Sequence, residues 1–105
     1  MKCYRLHRPT SIEISVRGML ESIDVIYIPE HRIGRWSIDI FIPESLLAIE
    51  CDGEYWHKRT RDIQRDKRKD KYLENIGIEI LRLDEQIIRQ KPDECLHRIQ
   101  LALRP

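Results

Sequence analysis

The chain of 105 residues is poor in several residue types, with four glycines, three cysteines and one phenylalanine. Cys3, Cys51 and Cys95 are odd in number and far apart, and no Cys-x-x-Cys pair exists, so neither a zinc ribbon nor a redox dithiol is indicated. Reduced thiols fit a cytosolic protein. Because Cys51 falls in an apolar run, we expect it to be a small buried hydrophobe.

Long hydrophobic runs are also missing. No segment approaches the roughly 18 apolar residues of a membrane-spanning helix, and no apolar stretch of signal-peptide length opens the sequence. We therefore expect a cytoplasmic protein without a membrane partner. The net charge of +1 argues for neither nucleic acid nor membrane. A chain of this size can bury about two thirds of its unfolded surface, so we expect residues 1–105 to form a single domain.

The first half of the chain predicts one helix and three strands. Thr10 is a favourable N-cap, and apolar residues at helical spacing continue to Ile23. A β-branched strand follows over 24–31, where Pro29 indicates a sheet edge or a bulge. The segment 32–36 contains a glycine and predicts a turn.

Two further strands alternate between apolar and other residues over 37–42 and 46–52, with a connection between them that suits a hairpin. In the first of these, one face is expected to carry Ile38, Ile40 and Ile42. The three strands should therefore form a meander.

The second half of the chain predicts a helix, a strand and a helix. A long charged helix runs from Arg59 to Ile76 and is closed by Gly77. A strand follows to Asp84, and a last helix has Pro92 near its start. The order α-β-β-β-α-β-α, with a helical crossover before the fourth strand, implies an α/β sandwich around a mixed sheet.

Three carboxylates, those of Asp39, Glu50 and Asp52, lie inside two of these strands, where an unpartnered acid is costly to desolvate. Glu50 and Asp52 share a face, and one hairpin register brings Asp39 beside Glu50, so the three are expected to converge near Gly53. Converging carboxylates repel unless a cation neutralises them, and hard oxygen ligands suit Mg²⁺, Mn²⁺ or Ca²⁺. The alternative is that these acids point into water at fraying strand ends.

The charged helix and its mouth carry many cations, among them Lys58, Arg61, Arg65, Arg68 and Lys69. Interleaved aspartates permit ion pairs along the helix, which favours a solvated surface. A wall that binds nucleic-acid phosphates is the other interpretation, and the two are compatible.

Two more residues of these elements call for an interpretation. Asp66 falls on the helical face that should pack on the sheet, so it needs a partner, and the candidates are Arg82 and His57. Trp36 could stack on a base, but core packing is the more usual role of a single aromatic residue.

The ordered set of these residues resembles a nuclease family, the small endonuclease-like domains related to very short patch repair endonucleases, in the PD-(D/E)XK superfamily. The motif residues are Asp39-(x)10-Glu50-x-Asp52-Gly53-x-x-x-His57, then Asp66-x-Arg68 and Gly77-(x)4-Arg82. The segments PTSIE and PEHRIGRWSIDIF also look like the family's opening, so the resemblance covers residues 9–103. It implies a restriction-endonuclease-like three-layer sandwich with an α-β-β-β-α-β core and an extra C-terminal helix.

The resemblance also implies an activity, metal-dependent hydrolysis of a nucleic-acid phosphodiester, with DNA expected and RNA not excluded. Asp39, Glu50 and the Cys51 carbonyl would bind Mg²⁺ or Mn²⁺, and Asp52 could assist. His57 would help to activate water. A monomer would suffice for nicking, whereas double-strand cleavage would need a homodimer.

The sequence departs from the superfamily's pattern in two places. No proline precedes Asp39, and Asp52 stands where the motif has a lysine. His57, Lys58 or Lys69 could supply the missing charge. The departure keeps open a nuclease-fold domain that binds nucleic acid without cutting, and a metal-binding module in which the acids are structural.

Glu13 has two interpretations. The resemblance implies that the first helix contributes an acid to the metal site, and Glu13 is at the matching position. Alternatively, Thr10-x-x-Glu13 is a capping box, in which the glutamate reaches back to the N-cap backbone.

Overall fold

The computed structural model describes residues 9–53 and 60–103. The elements in chain order are α1 (Ser11–Ser22), β1 (Ile28–Ile33), β2 (Trp36–Ile42), a 3-10 turn (Pro43–Ser45), β3 (Leu47–Asp52), α2 (Thr60–Asn75), β4 (Glu79–Asp84), α3 (Glu85–Gln90) and α4 (Pro92–Ala102). None of the helices in these two ranges combines the length and the apolar character that crossing a membrane requires.

The four strands form one mixed sheet in the order β1-β2-β3-β4. The first three strands are a meander of antiparallel pairs, and β4 pairs with β3 in parallel after the crossover through α2. This confirms the predicted topology. It also places Pro29 on an edge strand, where the missing N–H of proline removes no ladder hydrogen bond from the sheet interior.

Helices cover both faces of the sheet. One apolar cluster lies between the sheet and α1, α3 and α4, and its members include Val16, Ile40, Ile49, Leu83 and Ile99. A second cluster lies between the sheet and α2 and consists of Ile38, Phe41, Ala48, Leu73 and Ile78. The architecture is therefore the predicted three-layer sandwich with an extra C-terminal helix.

The first strand begins later than the sequence predicts. Asp24 has a φ of 59° and ends the turn after α1. The N–H of Val25 then returns to the Leu20 carbonyl at 3.0 Å, so the chain joins the sheet only at Ile28. The turn between β1 and β2 is correspondingly shorter than expected, because Ile33 already pairs with Trp36.

The helix α3 is absent from the prediction. Asp84 ends β4 and caps α3, accepting a hydrogen bond from the Ile87 N–H at 2.8 Å. A helix of six residues is too short for its apolar period to be distinguished from the end of the preceding strand.

The predicted common face of Ile38, Ile40 and Ile42 is wrong. Ile38 packs in the cluster under α2, whereas Ile40 and Ile42 pack in the cluster under α1, α3 and α4. The alternation therefore changes phase at Asp39. The paired register of β2 and β3 runs from Ile40 to Ile42 and stops short of Asp39.

Candidate active site

The paired register of β2 and β3 stops before Asp39 and Glu50. Beyond that point the side chains of these two residues accept hydrogen bonds from the backbone. The Asp39 N–H donates to Glu50 Oε2 at 3.0 Å, and the Cys51 N–H donates to Asp39 Oδ2 at 2.9 Å. Each carboxylate accepts a hydrogen bond from an N–H that would otherwise donate to a backbone carbonyl. The strands can therefore separate without leaving these donors unpaired. Asp39 and Glu50 are thus neighbours, as the predicted register requires.

Three carboxylates from three elements meet beside Asp39 and form what we call the acid cluster. It consists of Glu13 from α1, Glu30 from β1 and Asp39 from β2, and one oxygen from each lies within 4.8 Å of the others. Glu13 is only 5% exposed, although a lone carboxylate is rarely buried. Among the residues that the structure describes, this is the group of acids that could hold a metal ion.

Glu30 is the member that sequence reasoning missed. It has a φ of 51°, in the left-handed region that side chains other than glycine and asparagine seldom adopt. Backbone strain of this kind costs about 1–3 kcal/mol and concentrates at functional sites. The guanidinium of Arg17, one turn along α1 from Glu13, lies 3.9 Å from Glu30 Oε2. No pattern in the sequence signals a left-handed residue inside a strand.

Glu13 forms the predicted capping box, while its role at a metal site stays a prediction. The Thr10 N–H donates to Glu13 Oε1 at 3.4 Å and the Glu13 N–H donates to Thr10 Oγ1 at 3.3 Å, so the capping box is formed. The same carboxylate also belongs to the acid cluster. The cap therefore fixes the orientation of the side chain that α1 contributes to the cluster.

Burial and neighbouring charges raise the pKa of Asp39 from 3.8 to about 7. Desolvation is the largest cause, and the negative charges of Glu50, Glu13 and Glu30 add to it. The hydrogen bond from the Cys51 N–H opposes the rise because it stabilises the ionised form. Burial, then the negative charges of Asp39, Glu13 and Glu50, also raise the pKa of the Cys51 thiol, which is half-buried rather than, as expected, fully buried.

Glu50 is held by a cation from the helix on the other side of the strand. Lys69 Nζ of α2 lies 2.6 Å from Glu50 Oε1. Lys69 was predicted both as a nucleic-acid contact and as a substitute for the missing motif lysine. With only 12% of its side chain exposed, Lys69 is little accessible to a nucleic-acid phosphate, and its role as the substitute stays a prediction. The other two candidates, His57 and Lys58, lie outside the described residues.

Asp52 lies beside Arg82 rather than in the acid cluster. Arg82 of β4 has Nη1 3.6 Å from Asp52 Oδ1 and Nη2 2.6 Å from Asp70 Oδ1. The expected convergence of Asp39, Glu50 and Asp52 is thus corrected, because the change of phase turns Asp39 toward α1 while the other two acids face α2.

Arg82 was one of the two predicted partners of Asp66. Burial lowers the pKa of Arg82. The hydrogen bond and charge of Asp70, then the charges of Asp52 and Asp66, outweigh burial, so the pKa of Arg82 is raised. The closest contact of Arg82 is therefore with Asp70, and the negative charge of Asp66 also acts on it.

The remaining predicted cations within the described part of α2 are Arg61, Arg65 and Arg68, all of which are exposed. Their guanidinium groups are accessible, as a contact with nucleic-acid phosphates requires.

A model of the restriction endonuclease-like family REase_MTES_1575 matches residues 12–103. The chain belongs to this family. The catalytic domain of the homing endonuclease I-Bth0305I is similar to it, with a TM-score of 0.77 and 26% identity over 90% of this chain and 94% of that chain. A comparison with curated proteins found no match. The restriction-endonuclease-like fold is thereby confirmed, and the closer relation to very short patch repair endonucleases stays a prediction.

In this member of the REase_MTES_1575 family, the chemistry of the acid cluster fits a divalent cation. Three carboxylates offer hard oxygen atoms, the ligands that Mg²⁺ and Mn²⁺ prefer. Their mutual repulsion, seen in the raised pKa of Asp39, is what a bound cation would remove. Glu13, Glu30 and Asp39 are therefore the side chains that would hold it, while Glu50 and the Cys51 carbonyl stay predicted ligands.

Proposed function

We propose that this protein is a metal-dependent endonuclease that hydrolyses phosphodiester bonds, with DNA as its substrate. The observation that carries the proposal is the acid cluster, built at the point where β2 and β3 separate in a restriction-endonuclease-like fold. The family model and the likeness to a homing endonuclease catalytic domain support a nuclease.

Glu13, Glu30 and Asp39 would hold Mg²⁺ or Mn²⁺. A divalent ion at such a site neutralises charge that develops on the phosphate and lowers the pKa of the attacking water. The protein's own contribution is alignment. Glu50 fixes the backbone of Asp39, the Cys51 N–H fixes its carboxylate, and the capping box fixes Glu13, so the acids are held before substrate arrives.

Lys69 takes the place of the motif lysine in this proposal. It puts a positive charge 2.6 Å from Glu50 Oε1, and the other oxygen of that carboxylate accepts the Asp39 N–H. A fixed cation near the reacting phosphate stabilises negative charge in the transition state. His57 would accept the proton of the attacking water, and Asp52 would act through its contact with Arg82.

The substrate class follows from the exposed arginines of α2. Guanidinium groups bind phosphates in a bidentate manner and carry no base information when they do so. We therefore propose cleavage without strict sequence preference, as nicking by a monomer or double-strand cleavage by a homodimer.

Nicking of supercoiled plasmid tests the proposal. Activity should require Mg²⁺ or Mn²⁺, stop with EDTA, and be lost in Asp39→Asn and Glu13→Gln. Glu44→Gln is the matched control, because Glu44 is an exposed acid in the 3-10 turn. Metal-independent nicking, or full activity of Asp39→Asn, contradicts the proposal.

A second candidate is a nuclease-fold domain that binds nucleic acid without cutting. The Lys69–Glu50 ion pair favours it, because it occupies a motif carboxylate that the superfamily uses for a metal. Plasmid that stays intact with either ion, together with gel retardation that fades as salt rises, would establish this alternative.

A further inference from the structure

Two arginines that are distant in sequence lie over one tryptophan. The guanidinium carbon of Arg35 lies 4.8 Å from the ring centroid of Trp36, and that of Arg65 lies 6.0 Å from it. Trp36 is 6% exposed, so its ring is a buried platform rather than a free surface for stacking a base. A tryptophan face attracts guanidinium groups and restricts where they can move.

The β1–β2 turn that carries Arg35 is packed against α2. Gly34 has a φ of 59°, and a Cβ at this position would lie 2.6 Å from the hydroxyl oxygen of Tyr72. Glycine thus permits both the turn and its close approach to the helix. Arg35 is therefore held beside α2 as part of one continuous surface.

Along α2, the exposed arginines follow a single helical stripe. Arg61, Arg65 and Arg68 are spaced i, i+4, i+7, which puts them on one side of the helix over about 10 Å. We call these three and Arg35 the arginine strip. Within residues 9–53 and 60–103, the ion pairs found involve none of the four.

Like charges gathered without acidic partners create a positive field that attracts an anion. On β2, Trp36 precedes Asp39 by three residues, which is about 10 Å of strand. The strip lies on the α2 side of the sheet, whereas Asp39 turns toward α1, so the strip and the acid cluster flank β2 from opposite faces. A polymer with regularly spaced phosphates matches a row of cations of this kind.

We propose that the arginine strip binds successive phosphates of a nucleic-acid strand, with Trp36 holding Arg35 and Arg65 in place. The substrate class rests on the proposed function, but the β1–β2 turn was not predicted as a binding element and is inferred from its packing against α2. The contact is to the backbone, so the strip sets position and not sequence preference.

Fluorescence anisotropy with labelled duplex and single-stranded DNA tests the strip. Measurements in EDTA and in an Asp39→Asn background keep the substrate intact. Arg35→Ala and Arg65→Ala should each weaken binding several-fold at 0.1 M salt. Each should also lower the slope of log K against log salt by about 0.9 on duplex, the value for one lost phosphate contact.

The charge-matched control is Lys91→Ala, an exposed cation between α3 and α4 on the opposite side of the sheet. Arg35→Lys keeps the charge and should retain most of the salt slope. Urea unfolding of every variant checks that the fold is kept, and variants of reduced stability are compared at a lower temperature.

An Arg35→Ala variant that keeps wild-type affinity and salt slope overturns the proposal. So does an equal loss in Lys91→Ala, or a protein that binds neither form of DNA at low salt. Because binding is measured without divalent ion or cleavage, a failure to nick plasmid does not contradict the proposal for the arginine strip. If the protein nicks plasmid but Arg35→Ala binds DNA as the wild type does, the endonuclease proposal stands and the proposal for the arginine strip fails.

Discussion

Lys69 Nζ and Glu50 Oε1 lie 2.6 Å apart, and the second oxygen of the same carboxylate accepts the Asp39 N–H at 3.0 Å. One side chain of β3 thus connects α2 to β2. The side chains of Lys69 and Glu50 are only 12% and 10% exposed, so the charge of each depends on the other for compensation. Removing one partner of a buried pair costs about 3–5 kcal/mol because the other charge stays buried.

We expect Lys69→Met to lower the free energy of unfolding by about 3 kcal/mol, measured by urea denaturation. The double variant Lys69→Met/Glu50→Gln should recover part of this loss, since neither charge remains. Arg98→Ala is the control, because its pair with Glu94 is about half exposed and should contribute less than about 1 kcal/mol. Strictly additive effects of the two substitutions at 69 and 50 would show that the pair is not coupled.

Asp39 makes the metal-free protein less stable as pH rises. Its pKa is 3.8 unfolded and about 7 folded, so folding favours the protonated form. The stabilisation is complete below pH 3.8, declines as pH rises toward 7, and is absent above it. At most this is about 4 kcal/mol, and solvent screening at a half-buried site reduces it to about 2 kcal/mol.

Asp39→Asn should therefore stabilise the metal-free protein by about 2 kcal/mol at pH 8 and by almost nothing near pH 4, because asparagine keeps the acceptor for the Cys51 N–H without a charge. Urea denaturation in EDTA across this pH range measures the difference. Glu44→Gln should give no such trend. A wild-type protein that is the more stable at pH 8 rules out the raised pKa.

The elements other than α3 could be predicted because each carries its own period. Alternation identified β2 and β3, and the N-cap at Thr10 and Gly77 bounded two helices. The contacts between Asp39 and Glu50 could not be predicted in full. Their side chains replace the backbone ladder there, and the alternation of faces along β2 shifts by one residue. Patterns of period two assume an unbroken ladder.

The site was predictable only where its residues lie in a motif. Asp39, and Glu13 through the resemblance, were identified in advance. Glu30 was not, since its place depends on a left-handed backbone and on the register of an edge strand. Lys69 was one of three candidates for the missing charge, and its ion pair with Glu50 depends on the packing of α2, which no motif specifies.

The two roles of Glu13 can be separated by two substitutions. Thr10→Ala removes the capping hydroxyl and should cost about 1 kcal/mol in a urea titration, while nicking activity remains. Glu13→Gln keeps the capping box, since glutamine is accepted there, but removes the charge from the acid cluster. We expect it to be as stable as wild type and inactive. If Glu13→Gln retained activity, the role of Glu13 would be limited to capping α1.

Glu30 should contribute to cation affinity even though it was not predicted as a site residue. A ligand that binds the native state stabilises it by about 2.7 kcal/mol at 100 times its Kd, so Mn²⁺ or Ca²⁺ should raise the wild-type Tm. Glu30→Gln removes one of the three carboxylates, and we expect it to need about tenfold more ion for the same rise. Glu79→Gln, an exposed acid at the start of β4, should behave as wild type. Equal titrations of Glu30→Gln and wild type would mean that the strained backbone at Glu30 serves the pair with Arg17 and not the ion.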